Sequence, residues 1–213
     1  MSRTLCSQCH RPEKACICAF SVKTDNHIHV VVLQHPSEVK QSKGTVALLQ
    51  QSLENCQVII GESFDDNDSL NTLLSHYGVQ IALLYPSEDA QVIDFTAQQA
   101  SGSFERESLM DPNTIKCIVI LDGTWKKSYR MFMLNPSLHD IKHLILPEGI
   151  ESLYNIRKTK KNNALSSLEA CCHALARLEN DQKKYQPLLS NFVKFNQFQQ
   201  SFNKRNETFL NTP

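Results

Sequence analysis

Hydrophobic positions along this chain fall into two alternating rhythms. Short aliphatic or β-branched runs at 29–33, 58–60, 81–85, 115–121 and 143–146 read as buried strands, and Pro86 stops the third. Helical spacings lie between them: Val46, Leu49 and Leu53, then Leu70 to His76, then Lys126 to Met131. Polar residues at 87–113 predict an irregular connection with some helix around 93–99. The last third reads as helix, with one stripe through Leu165, Leu168, Cys172, Leu175 and Leu178 and another through Leu188, Phe192, Phe195 and Phe202. The aromatic stripe predicts a helix packed on the parent domain. Ser166-x-x-Glu169 has the capping-box spacing that starts a helix. Strands alternating with helices imply βαβ units, hence an α/β fold with a mostly parallel sheet flanked by helices.

Composition narrows this little. With 213 residues, 41% hydrophobic and 21% charged, the chain suits one α/β domain with a small appendage. No apolar run approaches the roughly 20 residues that span a bilayer, and the N-terminus lacks a signal-peptide core, so no membrane partner and a cytoplasmic location are expected. Lys and Arg balance Asp and Glu, 22 against 22, so any nucleic-acid site must be a local patch.

The cysteines change the picture more. Cys6, Cys9, Cys16 and Cys18 crowd into thirteen residues too short to form their own core. In a reducing compartment such a cluster reads as a metal site, and four thiolates suit a closed, structural Zn²⁺. The metal would then supply folding energy. A boundary near residue 25 follows, with 1–25 as the cysteine segment and 26–213 as the main domain. Cys56, Cys117, Cys171 and Cys172 lie in apolar segments and read as core thiols.

Chemistry concentrates where the run ending at Leu121 meets a helix. Asp122-Gly123-Thr124-Trp125 places a carboxylate and a tight turn at the carboxyl end of a strand, where open α/β sheets hold ligands. A helix cap and a core Trp would account for the same residues. Lys126, Lys127 and Arg130 follow directly, and Arg157, Lys158, Lys160 and Lys161 precede the capped helix. Each group is either a phosphate-contacting patch or an ordinary solvated face.

The Asp-x-Thr-Trp signature resembles that of the DTW-domain proteins, relatives of the SPOUT methyltransferases. His35-Pro36-Ser37-Glu38, with Gly44-Thr45 beyond it, resembles the family's first motif. Tyr154-Asn155-Ile156-Arg157-Lys158, with Leu165-Ser166-Ser167-Leu168-Glu169-Ala170, resembles its last. With the four cysteines, the resemblance covers nearly the whole chain. Gly44-Thr45 stands where relatives often carry Asn-Thr, which puts a side-chain amide contact there in doubt.

The resemblance implies a SPOUT-like trefoil-knot topology in the C-terminal portion. It also implies transfer of the aminocarboxypropyl group of S-adenosylmethionine to N3 of a uridine in the tRNA variable loop, releasing methylthioadenosine. SPOUT-type RNA methyl transfer and a non-catalytic zinc-bearing RNA-binding protein are the alternatives. Asp122 is the implied base, or a hydrogen-bond acceptor that holds the uridine imide. Leu144, Leu146, Pro147, Leu165, Ser166 and Ser167 are where the family match places the S-adenosylmethionine pocket. Thr124, Trp125, His35, Glu38, Lys126, Arg130, Arg157 and Lys158 are its implied substrate and tRNA contacts. Both monomer and homodimer are compatible with the sequence.

Overall fold

The computed structural model describes residues 4–41, 44–93, 115–153 and 165–210, with side chains up to 202. Six strands, β1 (His29–Gln34), β2 (Cys56–Ile60), β3 (Ile81–Leu84), β4 (Gln91–Val92), β5 (Cys117–Asp122) and β6 (Lys142–Ile145), form one sheet in the order β2-β1-β5-β3-β6-β4. Every pairing is parallel, which the alternating rhythms required. The helices are α1 (Val46–Ser52), α2 (Asp68–Tyr77), α3 (Trp125–Leu134), α4 (Ser167–Leu178) and α5 (Gln182–Leu210).

Strand parity divides the core. Val30, Val32, Ile118 and Ile120 face one side, against α1, α4 and α5. Val31, Leu33, Val119 and Leu121 face the other, against Leu70 of α2 and Met131 of α3. A fully buried central strand explains why 115–121 reads as an unbroken apolar run. Among the described residues no helix is long and apolar enough to cross a membrane.

Two elements differ from expectation. Gln91–Val92 forms a short edge strand inside the stretch expected to be irregular. Two exposed residues leave no alternating pattern to read. The fourth apolar run also continues one residue further than Leu121, because main-chain pairing carries Asp122 opposite Gln34. Of the helix expected around 93–99, residues 94–99 lie outside the described residues.

The aromatic stripe packs on the domain: Leu188, Phe192 and Phe195 are fully buried. Phe20, just beyond the cysteines, meets Phe195 and Phe198 of α5 at ring separations of 5.9 and 5.1 Å. Ile17 is fully buried in the same core.

Candidate active site

The strand order creates the place for a site. From β1 the chain moves outward to β2, then returns to the far side to lay down β3, and β5 enters between β1 and β3. Reversal of winding leaves a crevice beyond the carboxyl ends of the central strands, the usual ligand position in open α/β sheets. Asp122 is the last residue of β5 and stands at this switch point.

Parity turns the Asp122 side chain toward the α4 face. Its Oδ1 accepts from Ser167 Oγ at 2.6 Å, and its Oδ2 accepts from Gln34 Nε2 at 2.9 Å. Gln34 is the register partner of Asp122 and is itself buried, so neighbouring strands present the pair together. The carboxylate is only 7% exposed, and both its oxygens are held by neutral donors.

Ser167 opens α4, and the capping box behind it is complete. Ser166 Oγ accepts from Glu169 N at 3.3 Å, while Glu169 Oε2 accepts from Ser166 N at 2.8 Å. Glu169 is fully buried and also accepts from Ser152 Oγ and from Leu153 N, tying the loop after β6 to the start of α4. Leu144 lies buried in β6, and Leu146 packs against the same core cluster as Leu168. Pro147 follows half-buried, as is Leu165 before the cap. The end of β6 and the start of α4 thus share one face. Arg157 and Lys158 lie outside the described residues.

On the opposite face, Thr124 caps α3: its Oγ accepts from Lys127 N at 3.4 Å. A Cβ on Gly123 would stand 3.0 Å from Lys127 Cβ, so a side chain there would require the first turn of α3 to give by a few tenths of an ångström. Trp125, the first residue of α3, is 49% exposed, against the core packing that one reading of the motif offered. Lys126 is exposed. Lys127 Nζ donates to Glu38 Oε1 at 2.7 Å and to Ser37 Oγ at 2.6 Å. Arg130 Nε pairs with Glu62 Oε1 at 2.8 Å. His35 Nδ1 accepts from Ser37 N at 3.2 Å, which assigns the ring proton to Nε2, 3.4 Å from the same Glu62 oxygen. Glu38 is buried. These pairs bind the loop after β1, and Glu62 beyond β2, to α3.

The Cys6, Cys9, Cys16 and Cys18 sulfurs all lie within 4.8 Å of one another, and none is in a disulfide. Cys6 and Cys18 sulfurs are 3.7 Å apart, Cys9 and Cys16 sulfurs 3.8 Å. Tetrahedral ligands at the usual Zn–S length of about 2.3 Å stand about 3.8 Å apart. Backbone N–H groups of Cys9 and Gln8 lower Cys6 to about 6, whereas burial and then the neighbouring thiols push Cys18 up to about 12. Four thiols this close cannot all ionise without a cation among them. The donor set and its spacing therefore fit a metal ion. Burial alone raises Cys56 and Cys117 to about 12, as inert core thiols require.

Sequence reasoning missed three members of the site. Gln34 was legible in principle, since it shares parity with Val30 and Val32 and ends the strand before His35. The sequence marks Glu169 only as a cap partner. Nothing in the sequence announces that Glu62, two residues beyond β2, reaches His35 and Arg130.

Residues 3–200 match the DTW domain family model. The chain belongs to the DTW domain family. Among its relatives is tRNA-uridine aminocarboxypropyltransferase 2 of Macaca fascicularis, 34% identical over 193 residues, covering 88% of this chain and 60% of that protein. Its namesake in Mus musculus is 29% identical over 191 residues, with the same coverage of both chains. That of Drosophila melanogaster is 30% identical over 195 residues, covering 88% of this chain and 71% of the relative. This DTW-domain chain thus spans about three fifths of the length of the two mammalian relatives. No solved structure matches it.

Proposed function

We propose that this chain transfers the aminocarboxypropyl group of S-adenosylmethionine to N3 of a tRNA uridine in the variable loop, releasing methylthioadenosine. One observation carries the reading. A nearly buried carboxylate sits at the switch point of a parallel sheet, bonded to the first residue of α4, in a chain similar to tRNA-uridine aminocarboxypropyltransferases.

The sulfonium of S-adenosylmethionine activates the carbon of its aminocarboxypropyl arm toward a nucleophile. Uridine N3 is a poor nucleophile while it holds its proton. Asp122 takes that proton as the N3–C bond forms and the C–S bond breaks, with the electron pair passing to sulfur. Gln34 and Ser167 fix the carboxylate plane, so the base does not reorient during the step. Alternatively Asp122 accepts the imide N–H only to hold the base, and the Asp122→Asn variant described below separates the two roles.

Leu144, Leu146, Pro147, Leu165, Ser166 and Ser167 wall the S-adenosylmethionine pocket in this reading. The Ser166 N–H and carbonyl are engaged by Glu169 and Ala170, and its Oγ accepts in the cap, so what Ser166 offers the pocket is its hydroxyl proton. Thr124, Trp125, Lys126 and Arg130, together with Arg157 and Lys158, receive the tRNA in this reading, with His35 and Glu38 bracing the loop after β1. Cys6, Cys9, Cys16 and Cys18 hold a structural Zn²⁺ within residues 1–25, and residues 26–213 form the catalytic domain with a SPOUT-like knot. A cytoplasmic location fits free thiols and a tRNA substrate.

The test is incubation of the purified protein with S-adenosylmethionine and unmodified tRNA, with products read by mass spectrometry. Methylthioadenosine with aminocarboxypropyl-uridine is expected. S-adenosylhomocysteine with a methylated nucleoside would make the chain a methyltransferase instead.

A further inference from the structure

Helix α3 departs from the rule that a helix on a sheet exposes polar residues. Its inner face is ordinary, with Ser128 and Met131 buried. Its outer face carries Trp125, Tyr129 and Met133, which are 49, 59 and 52% exposed. These residues are four apart, so they form a single stripe that starts three residues from Asp122. The helix also holds Lys126, Lys127 and Arg130 and no carboxylate of its own; Lys127 and Arg130 are matched by Glu38 and Glu62, which leaves Lys126 as the cation beside the stripe.

Charge selects the occupant. A second copy of this chain meeting the same face across a two-fold axis would set Lys126 against a helix that has no carboxylate to offer it. A polyanion with flat apolar faces suits the stripe better. Four residues of helix rise about 6 Å, so Trp125 and Tyr129 stand nearly twice as far apart as the 3.4 Å repeat of stacked duplex bases. Such a spacing receives bases splayed from a single-stranded loop, not a continuous stack.

We propose that Trp125, Tyr129 and Met133 form a stacking track for unpaired nucleotides flanking the acceptor uridine, with Lys126 beside it for a phosphate. This rests on the tRNA reading above. Tyr129 and Met133 are the new members, and on this proposal they choose which loop is presented to Asp122.

The test measures affinity of the full chain for unmodified tRNA and for a short single-stranded RNA, across a salt series, with sedimentation to read the oligomeric state. Tyr129→Ala is expected to weaken binding about tenfold, with Tyr129→Phe restoring it, and with the salt slope unchanged because stacking releases no counterions. Lys126→Ala is expected to flatten the slope by about one. Wild-type affinity in both Tyr129→Ala and Met133→Ala would overturn the proposal. So would a wild-type dimer that Tyr129→Ala dissociates, since the stripe would then be a subunit contact. Loss of RNA binding through Tyr129 in a protein that makes no modified uridine would sink the transfer reaction and leave the track standing. Normal turnover with an indifferent Tyr129 would do the reverse.

Discussion

Asp122 is placed by parity and held by its neighbours. The even-numbered side chains of β1 and β5 face α4, and register sets Gln34 opposite Asp122, so both reach the crevice from one side of the sheet. If Asp122 is the base, Asp122→Asn should keep the fold and cost about 10²–10⁴ in turnover. Near-normal turnover would leave it an orienting role. Gln34→Ala should lower kcat about tenfold with little change in KM, because it loosens the carboxylate rather than the substrate. The two variants share one interaction, so their losses should not multiply. In the Asp122→Asn background, Gln34→Ala should cost almost nothing further. Full multiplication would show that Gln34 acts by another route.

At the scale of elements, the turn between α4 and α5 is bound to the start of β1 through one carboxylate. Glu179 accepts from His27 N at 2.7 Å, Ile28 N at 3.1 Å, Lys184 Nζ at 2.8 Å and Tyr185 Oη at 2.7 Å. Burial works to raise its pKa. Lys184, Tyr185 and the Ile28 N–H outweigh burial and hold it below the ordinary carboxylate value. A depressed folded-state pKa contributes stability above the unfolded value, and that stability is lost as pH falls through the folded one. Glu179→Gln should therefore cost about 3 kcal/mol near neutral pH, and progressively less below the ordinary carboxylate range. Urea melts at several pH values would check this, and a penalty independent of pH would count against the linkage. α4 is thus pinned at both ends, by Glu179 at one and by the Ser167–Asp122 contact at the other.

For the whole molecule, the cysteine segment is part of the core rather than a tethered tail. Ile17 is fully buried, and Phe20 packs on the rings of α5. A metal held by the four sulfurs would hold that packing in place. Replacing Cys6 and Cys9 with Ser should take bound zinc from about one per chain to near none and lower the melting temperature and soluble yield. Elemental analysis with thermal melts would check it, and unchanged values in both would remove the zinc assignment. Chelation of the wild type should move the melt in the same direction.

The sequence by itself determined the α/β class, the parallel pairing and the positions of five of the six strands. Each follows from the period of its own hydrophobic residues, a local property. Asp122 at a strand end and the capped start of α4 were legible for the same reason. Tertiary structure alone decided which strands are neighbours. It brings Gln34 and Ser167, 88 and 45 residues away in sequence, onto the two oxygens of Asp122. It likewise joins Glu62 to His35 and Arg130, and turns Trp125 outward. A side chain's own surroundings in sequence carry no record of such contacts, because strand order is set by burial summed over the whole sheet.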